Sequence, residues 1–208
     1  MRETTRICFV RHGQTDWNLQ GRIQGQTDIP LNECGKSEAQ QVAERIRLES
    51  WDVCYASDLI RAADTASTIS ERVPNLSLIF DPRLRERNYG VIEGMEPNER
   101  DSTFGKDWRD RIEELGIESK EHLVRRMVSW SNEIRLKHSG ENVIVVTHGG
   151  WIRAYFLYLF QQLPDTWLSN GSLSVLRCRD ADWTCELYND FSHIRPIVSE
   201  KSSVYRGV

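Results

Sequence analysis

Ile7-Cys8-Phe9-Val10-Arg11-His12-Gly13 is an apolar run that ends in an arginine, a histidine and a glycine. The apolar residues predict a buried strand, and the glycine predicts a turn whose backbone can approach a ligand closely. A strand that delivers a guanidinium and an imidazole to such a turn is typical of a phosphate site. The pattern recurs in residues 143–150, where another apolar run leads into His148 and two glycines. The two strand-end histidines therefore predict one shared site.

Strand-like and helix-like segments alternate along the chain. Apolar runs predict strands near residues 6–10, 52–56, 77–80 and 142–147, and helical periodicity predicts helices near residues 32–48, 59–72, 120–137 and 149–160. Alternation of this kind is typical of parallel βαβ units. The run at 142–147 is almost entirely apolar, as expected for a central strand that helices cover on both faces. The predicted fold class is therefore α/β, a three-layer αβα sandwich with a mostly parallel sheet.

Two parts of the chain depart from this alternation. Residues 172–176 and 184–188 flank a polar turn at 180–182, which predicts an antiparallel hairpin at one edge of the sheet. Residues 93–118 combine glycines, a proline and many charges with weak periodicity, which predicts a lid inserted into the domain. No repeat or linker divides the sequence, so residues 1–208 are expected to form one domain.

The composition limits the partners of the protein. Of its 208 residues, 39% are hydrophobic and 28% are charged, and the net charge of -4 gives no reason to bind nucleic acid or an anionic membrane. The apolar run before Arg11 is too short for a signal peptide or a membrane span. Five cysteines without C-x-x-C spacing argue against a disulfide framework and a zinc ribbon. We therefore expect a cytoplasmic protein without nucleic-acid or membrane partners, and the sequence does not indicate its oligomeric state.

Side chains suited to phosphoryl transfer follow each of the four predicted parallel strands. Arg11 and His12 follow the first strand and Arg61 follows the second. Glu86 follows the third and His148 follows the fourth. Ligands of open α/β sheets bind at the carboxyl ends of the strands, so we expect these five catalytic candidates at one edge of the sheet.

Each of these residue types meets one requirement of phosphomonoester chemistry. Guanidinium groups such as Arg11 and Arg61 bind nonbridging phosphate oxygens with paired hydrogen bonds. A neutral imidazole can attack phosphorus near neutral pH, and a protonated imidazole such as that expected for His148 can donate to the equatorial oxygens. A carboxylic acid such as Glu86 can protonate the leaving oxygen and then activate water. The residues alone leave open which histidine is the nucleophile.

Five linked motifs resemble those of the histidine phosphatase superfamily, in its phosphoglycerate mutase-like branch. They occur in the expected order over most of the chain, at residues 11–18, 22–31, 57–66, 84–94 and 147–150. Five motifs in one order are far more specific than a single Arg-His-Gly string. The resemblance implies a metal-independent phosphatase that needs no cofactor and acts on a small phosphorylated metabolite.

The resemblance also implies roles for individual residues. His12 becomes phosphorylated, and Glu86 donates and accepts the proton. The phosphate pocket is formed by Arg11, Arg61 and His148. Further contacts to phosphate or substrate are expected from Asn18, Gln24, Gly25 and the backbone N–H of Gly149.

Two other functions stay open. The first is a cofactor-dependent phosphoglycerate mutase, because residues 84–90 are mutase-like. The short chain favours the phosphatase, as does Asp110, which stands where the mutases have a second arginine. The second alternative is a catalytically silent module on the same fold that binds a phosphoester or a partner. Phosphoglycerates, phosphoserine, sugar phosphates and nucleotide-derived phosphates are all candidate substrates.

Three motifs have competing interpretations. Glu86 stands within the arginine-rich string 83–87 and could belong to a surface ion-pair cluster. Cys54 precedes Arg61 by one residue too many for the Cys-x5-Arg loop of cysteine phosphatases. Residues 180–184 fit the D-x-D-x-T string of haloacid dehalogenase-like phosphatases, but charged residues precede them where an apolar strand is required. We therefore favour a turn at this position.

Overall fold

A six-stranded sheet organises the fold. It is seen in a computed structural model that describes residues 4–164 and 166–195. The strands are β1 (Thr5–Arg11), β2 (Val53–Ala56), β3 (Ser77–Phe80), β4 (Asn142–Thr147), β5 (Leu173–Arg179) and β6 (Asp182–Asp190). Their order is β3-β2-β4-β1-β5-β6, in which the first four strands run parallel while β5 and β6 form an antiparallel hairpin. The predicted mostly parallel sheet with an antiparallel edge is confirmed.

Helices pack on both faces of this sheet. The helices of the described ranges are α1 (Asp16–Leu19), α2 (Glu33–Ile46), α3 (Ile60–Ser70), α4 (Pro97–Phe104), α5 (Lys120–Lys137) and α6 (Gly149–Phe160). Short 3-10 turns lie at Pro82–Leu84, Gly90–Ile92 and Trp108–Asp110. The apolar residues of α2 and α3 pack on one face of the sheet, and those of α5 and α6 pack on the other. The predicted three-layer αβα sandwich is therefore confirmed.

The apolar run of β1 is buried on both sides. Ile7 and Phe9 belong to the core beneath α5 and α6, whereas Cys8 and Val10 belong to the core beneath α2 and α3. Successive side chains of a strand point to opposite faces, so a run without polar residues fits a strand that is covered twice. The same holds for β4, which lies between β2 and β1 as predicted. These two central strands consequently end side by side, so that His12 after β1 and His148 after β4 lie at the same edge of the sheet.

The turn after β1 is fixed by direct backbone contact with α2. A Cβ atom on Gly13 would lie 2.3 Å from the carbonyl oxygen of Gly35, and one on Gly35 would lie 2.0 Å from that of Gln14. Only glycine fits at both positions. The N–H of Asn32 also donates to the carbonyl of Gln14 at 3.0 Å. The backbone that carries His12 is therefore held rigidly against the start of α2.

Residues 93–118 contain more regular structure than their weak periodicity predicts. They include α4 and the 3-10 turn at Trp108–Asp110. Trp108, Leu115 and Ile117 bury a small cluster of their own with Ile92. The sequence of α4 carries no apolar stripe, which is why periodicity does not reveal it. No helix within the described ranges is both long and apolar enough to cross a membrane.

Candidate active site

The carboxyl ends of the parallel strands meet around one cavity of about 780 Å³. His12 follows β1, Arg61 lies in the first turn of α3, and Glu86 follows the 3-10 turn after β3. These three residues and Arg11 line the cavity. His148, which follows β4, packs against His12 with 5.1 Å between the ring centroids. The structure thus brings together all five predicted catalytic residues from four distant parts of the chain.

His12 is a buried imidazole that is held in one orientation. Its side chain is almost fully enclosed, and Nδ1 lies 2.7 Å from the carbonyl oxygen of Gly13. Because a carbonyl oxygen only accepts hydrogen bonds, this contact assigns the proton of the neutral ring to Nδ1 and leaves a lone pair on Nε2. Burial, followed by the charges of Arg61 and Arg11, lowers the pKa of His12 well below its usual range. The ring is therefore neutral at neutral pH.

Arg61 is a buried cation and Arg11 is a half-buried one, and the hydrogen bonds of both go to backbone carbonyls. Arg61 donates from Nη1 to Thr27 at 2.9 Å and from Nη2 to Gly25 at 2.7 Å. Arg11 donates from Nη1 to Leu168, and the Nε of each arginine is buried without a hydrogen-bond partner in the described ranges. Burial lowers the pKa of Arg61 to about 10 and shifts that of Arg11 in the same direction, so both stay charged at neutral pH. Two cations whose buried Nε donors are unused favour a compact anion.

Glu86 is held by two backbone amides at the edge of the cavity. Its Oε1 accepts from the N–H of Arg87 at 2.8 Å, and its Oε2 accepts from the N–H of Gly150 at 2.9 Å. A Cβ on Gly150 would lie 2.6 Å from a carboxylate oxygen of Glu86, so the glycine permits this close approach. The carboxyl group consequently has a fixed orientation toward the cavity, as proton transfer requires.

Two of the three arginines near Glu86 in the sequence, Arg83 and Arg85, bind other carboxylates. Arg83 pairs with Asp81 at 2.6 Å, and Arg85 donates to Asp58 at 2.7 Å. Neither arginine lines the cavity. The alternative of a surface ion-pair cluster around Glu86 is therefore not what the structure shows.

His148 differs in one respect from the sequence-based expectation. It is fully buried, and its Nε2 lies 2.9 Å from the hydroxyl oxygen of Ser57. Burial, then the charges of Arg61 and His12, lower the pKa of His148 well below its usual range. A protonated His148 was expected, whereas these surroundings favour the neutral ring. A neutral imidazole still carries one N–H, so it can donate to a phosphate oxygen without an added proton.

The four additional residues implied by the resemblance also line the cavity, namely Asn18, Gln24, Gly25 and Gly149. Gln24 is buried, and its Oε1 has no hydrogen-bond partner in the described part of the chain. Gly25 has a φ of 53° and presents its carbonyl to Arg61. A Cβ on Gly149 would lie 3.1 Å from Nε of Arg11, so this glycine leaves room for the guanidinium at the start of α6.

Five further residues of the cavity lining lie between positions 87 and 109, and we call them the roof: Arg87, Tyr89, Arg100, Trp108 and Arg109. The guanidinium carbons of Arg109 and Arg100 lie 4.3 and 5.8 Å from the ring centroid of Trp108. The Nε of Arg100 is buried without a hydrogen-bond partner among the described residues. The family resemblance marked Asp110 in this segment, but nothing in the sequence marked Arg100.

The rival motifs lie away from this chemistry. Cys54 is buried within β2, where burial raises the pKa of its thiol. Residues 180 and 181 form the turn between β5 and β6 and do not line the cavity. In the described ranges, no three His, Cys, Asp or Glu side chains are grouped as they are around a metal ion.

The fold and the cavity together define a class of protein: an α/β enzyme that transfers phosphoryl groups by way of a histidine. The family model for the histidine phosphatase superfamily (branch 1) matches residues 7–191. The chain belongs to this superfamily, as the five motifs predicted.

Individual relatives include both phosphatases and mutases. The chain is 40% identical to a metal-independent phosphoserine phosphatase of Arabidopsis thaliana, over 94% of this chain and 85% of that protein. It is 35% identical to a 2,3-bisphosphoglycerate-dependent phosphoglycerate mutase of Gloeobacter violaceus, over 76% and 77% of the two chains. A mycobacterial glucosyl-3-phosphoglycerate phosphatase has a similar structure, with a TM-score of 0.79, 28% identity and coverage of 88% and 98%. The predicted enzyme class, a phosphatase with mutases among its relatives, is confirmed.

Proposed function

We propose that this protein hydrolyses small phosphomonoesters through a phosphohistidine on His12, without a metal or cofactor. One observation carries the proposal. The neutral imidazole of His12 is buried, and it lines the same cavity as the guanidinium groups of Arg11 and Arg61, whose charges act on it. The cations bind the phosphate dianion while the imidazole keeps the lone pair that attacks it.

In the first step, Nε2 of His12 attacks phosphorus in line with the ester bond. An N–P bond forms as the P–O bond to the alcohol breaks, and the electron pair passes to the alcohol oxygen. Glu86 in its acid form gives that oxygen a proton. The positive charge on the phosphorylated ring is stabilised by the contact between Nδ1–H and the carbonyl of Gly13. Arg11, Arg61 and His148 hold the nonbridging oxygens.

In the second step, water releases the phosphate. The carboxylate of Glu86 accepts a proton from water, whose oxygen attacks phosphorus as the N–P bond breaks. The electron pair returns to Nε2 of His12, inorganic phosphate leaves, and Glu86 is again an acid. One carboxyl group thus serves both steps, consistent with the two amides that fix it.

The roof indicates an acidic leaving group. Arg87, Arg100 and Arg109 add three cations to the lining of the cavity, and their described contacts leave their charges without a carboxylate partner. A carboxylate on the alcohol part of the substrate would neutralise this charge. We therefore propose phosphorylated hydroxy acids, such as phosphoserine or 3-phosphoglycerate, as the substrate class. An Entamoeba histolytica phosphoserine phosphatase with a TM-score of 0.78 to this chain has been crystallised with 3-phosphoglyceric acid.

The mutase is the second candidate. In that reaction the enzyme would return the phosphoryl group to another hydroxyl of a phosphoglycerate. That reaction requires a second dianion to bind under the roof. Asp110 and Glu121 line the same cavity and reduce its positive charge, which suits a singly charged carboxylate better than a second dianion. The carboxylates therefore favour hydrolysis.

The test is one assay that measures phosphate release and isomerisation in the same sample. Phosphoserine, 3-phosphoglycerate, a hexose phosphate and a nucleoside monophosphate serve as substrates. We expect phosphate release, fastest with the two acids. Rapid isomerisation of 3-phosphoglycerate with little phosphate release would establish the mutase, and no release from any ester would establish a silent binding module.

Two further parts of the proposal concern the domain and its location. We propose that residues 93–118 act as a lid, because they carry most of the roof but only short helices. We also propose a cytoplasmic location, because all five cysteines are free thiols, as is usual in reducing compartments.

A further inference from the structure

Arg126 of α5 lies outside the cavity lining but holds the backbone that carries Glu86. Its Nη1 donates to the carbonyls of Arg83 and Arg85, both at 2.7 Å, and its Nη2 donates to the carbonyl of Glu86 at 3.1 Å. The chain from 85 to 89 has no regular secondary structure, so its carbonyls need partners from elsewhere. One planar guanidinium supplies two of these bonds, to Arg85 and Glu86, and a third to Arg83 just before them.

Glu118 fixes the guanidinium in turn. Its two carboxylate oxygens accept from Nε and Nη2 of Arg126 at 2.8 and 3.0 Å, which is a bidentate pair. Both side chains are largely buried, with 13% of Arg126 and 6% of Glu118 exposed. Glu118 also binds the two residues that follow Glu86. Its carboxylate accepts from the N–H of Asn88, and its backbone carbonyl accepts from Nε of Arg87.

We propose that Arg126 and Glu118 are positioning residues for the general acid Glu86. The inference rests on the proposed function, because it assigns the pair to the proton-transfer step. The carboxyl group of Glu86 contacts the N–H of the next residue, Arg87, so a shift of the backbone at 85–87 moves the acid relative to the leaving oxygen. Misplacement of a catalytic group by about 1 Å can lower a rate by about a hundredfold.

This role makes a distinctive kinetic prediction. A leaving group that is stable as an anion needs little help from an acid, whereas a basic leaving group needs a well-placed proton. Phenyl phosphate and p-nitrophenyl phosphate have the same charge and nearly the same shape, but phenolate is much the more basic leaving group. The ratio of their kcat/KM values reports the first step, in which the leaving group departs, and therefore measures how well the acid works.

The experiment compares Arg126→Lys with the wild type on both esters. Lysine keeps the charge but lacks the planar fork, so it cannot hold three carbonyls and Glu118 together. We expect kcat/KM to fall about tenfold to a hundredfold for phenyl phosphate and less than about threefold for p-nitrophenyl phosphate. Arg125→Lys is the matched control, because Arg125 is the exposed neighbour on the same helix, and both of its rates should stay at the wild-type level.

A second variant guards against a folding defect. Glu118→Gln keeps the shape of the pair but removes its charge, and it should give the same selective loss at a smaller size. Thermal unfolding is followed for each variant. Equal losses on the two esters, or failure of both variants to fold, would assign the pair to general stability and overturn the proposal. Absence of wild-type turnover on both esters would instead contradict the proposed function itself.

Discussion

The phosphate pocket, formed by Arg11, His12, Arg61 and His148, and the roof are built in different ways. The pocket lies at the ends of central strands, where His12, Arg61 and His148 are buried, and His12 and the two arginines contact backbone carbonyls. The roof stands on short helices and turns, and Arg109 is exposed. Phosphoryl transfer is common to every substrate, and rigidly placed side chains suit it. The alcohol part differs between substrates, and the roof that would meet it lies on less regular structure. We propose that the pocket determines the chemistry and the roof determines the substrate.

The largest expected effect is loss of the nucleophile in the pocket. His12→Ala should lower phosphate release by at least about 10⁴-fold for every ester, because no other group can form the covalent intermediate. The fold should persist, since the turn is held through backbone contacts between Gly13 and Gly35. Phosphate release and thermal unfolding are measured together. Near-normal turnover in a folded variant would remove His12 from the mechanism.

The second-largest effect on activity is expected for loss of Glu86, the proposed general acid, and its size should depend on the leaving group. Glu86→Gln should lower kcat/KM by about 10²- to 10⁴-fold for alkyl phosphates such as phosphoserine, because the leaving alkoxide receives no proton. The effect on p-nitrophenyl phosphate should be much smaller. Steady-state kinetics with both esters test this, and equal losses would argue that Glu86 binds substrate and does not transfer a proton.

A smaller, selective effect is expected in the roof. Arg100→Ala should raise KM for 3-phosphoglycerate about tenfold, the size expected for loss of one charged hydrogen bond, while p-nitrophenyl phosphate is turned over as before. Arg111→Ala is the control from the same segment, because Arg111 pairs with Glu114 and does not line the cavity. If Arg100→Ala affected both esters alike, the division between pocket and roof would fail.

The smallest expected effect is on stability, and it involves the histidines of the pocket but not the roof. The pKa values of His12 and His148 are lowered in the folded state, so the unfolded chain binds more protons once the pH falls below the ordinary imidazole pKa. Stability is therefore full above that pH and is lost as the pH falls toward the folded-state pKa, by at most about 1.4 kcal/mol per pH unit for each histidine. Urea unfolding followed by tryptophan fluorescence should show a shallower pH slope for His148→Gln. Arg100→Ala should keep the wild-type slope, and identical slopes for all three proteins would contradict this account.

The sequence predicted the pocket well because its signals are local and repeated. Apolar runs that are buried on both sides marked β1 and β4, and the residues after them had to meet at one edge. The hydrogen bonds of Arg126 could not be predicted from the sequence, because this side chain meets the backbone at residues 83–86 only through the packing of α5. The lowered pKa of His148 also depends on tertiary burial. Arg100 was not predicted as a site residue, because α4 has no apolar stripe that would show which face of the helix is buried.

The covalent step on His12 is the central claim, and trapping the intermediate tests it most directly. Glu86→Gln is mixed with radiolabelled p-nitrophenyl phosphate, which phosphorylates without an acid, while the missing base slows release by water. The reaction is quenched in alkali, where phosphohistidine is stable, and the label is mapped to a peptide. We predict acid-labile phosphate on the peptide that contains His12 and none in the double variant His12→Ala, Glu86→Gln. Label on the peptide that contains His148, or turnover without any labelled protein, would contradict the account.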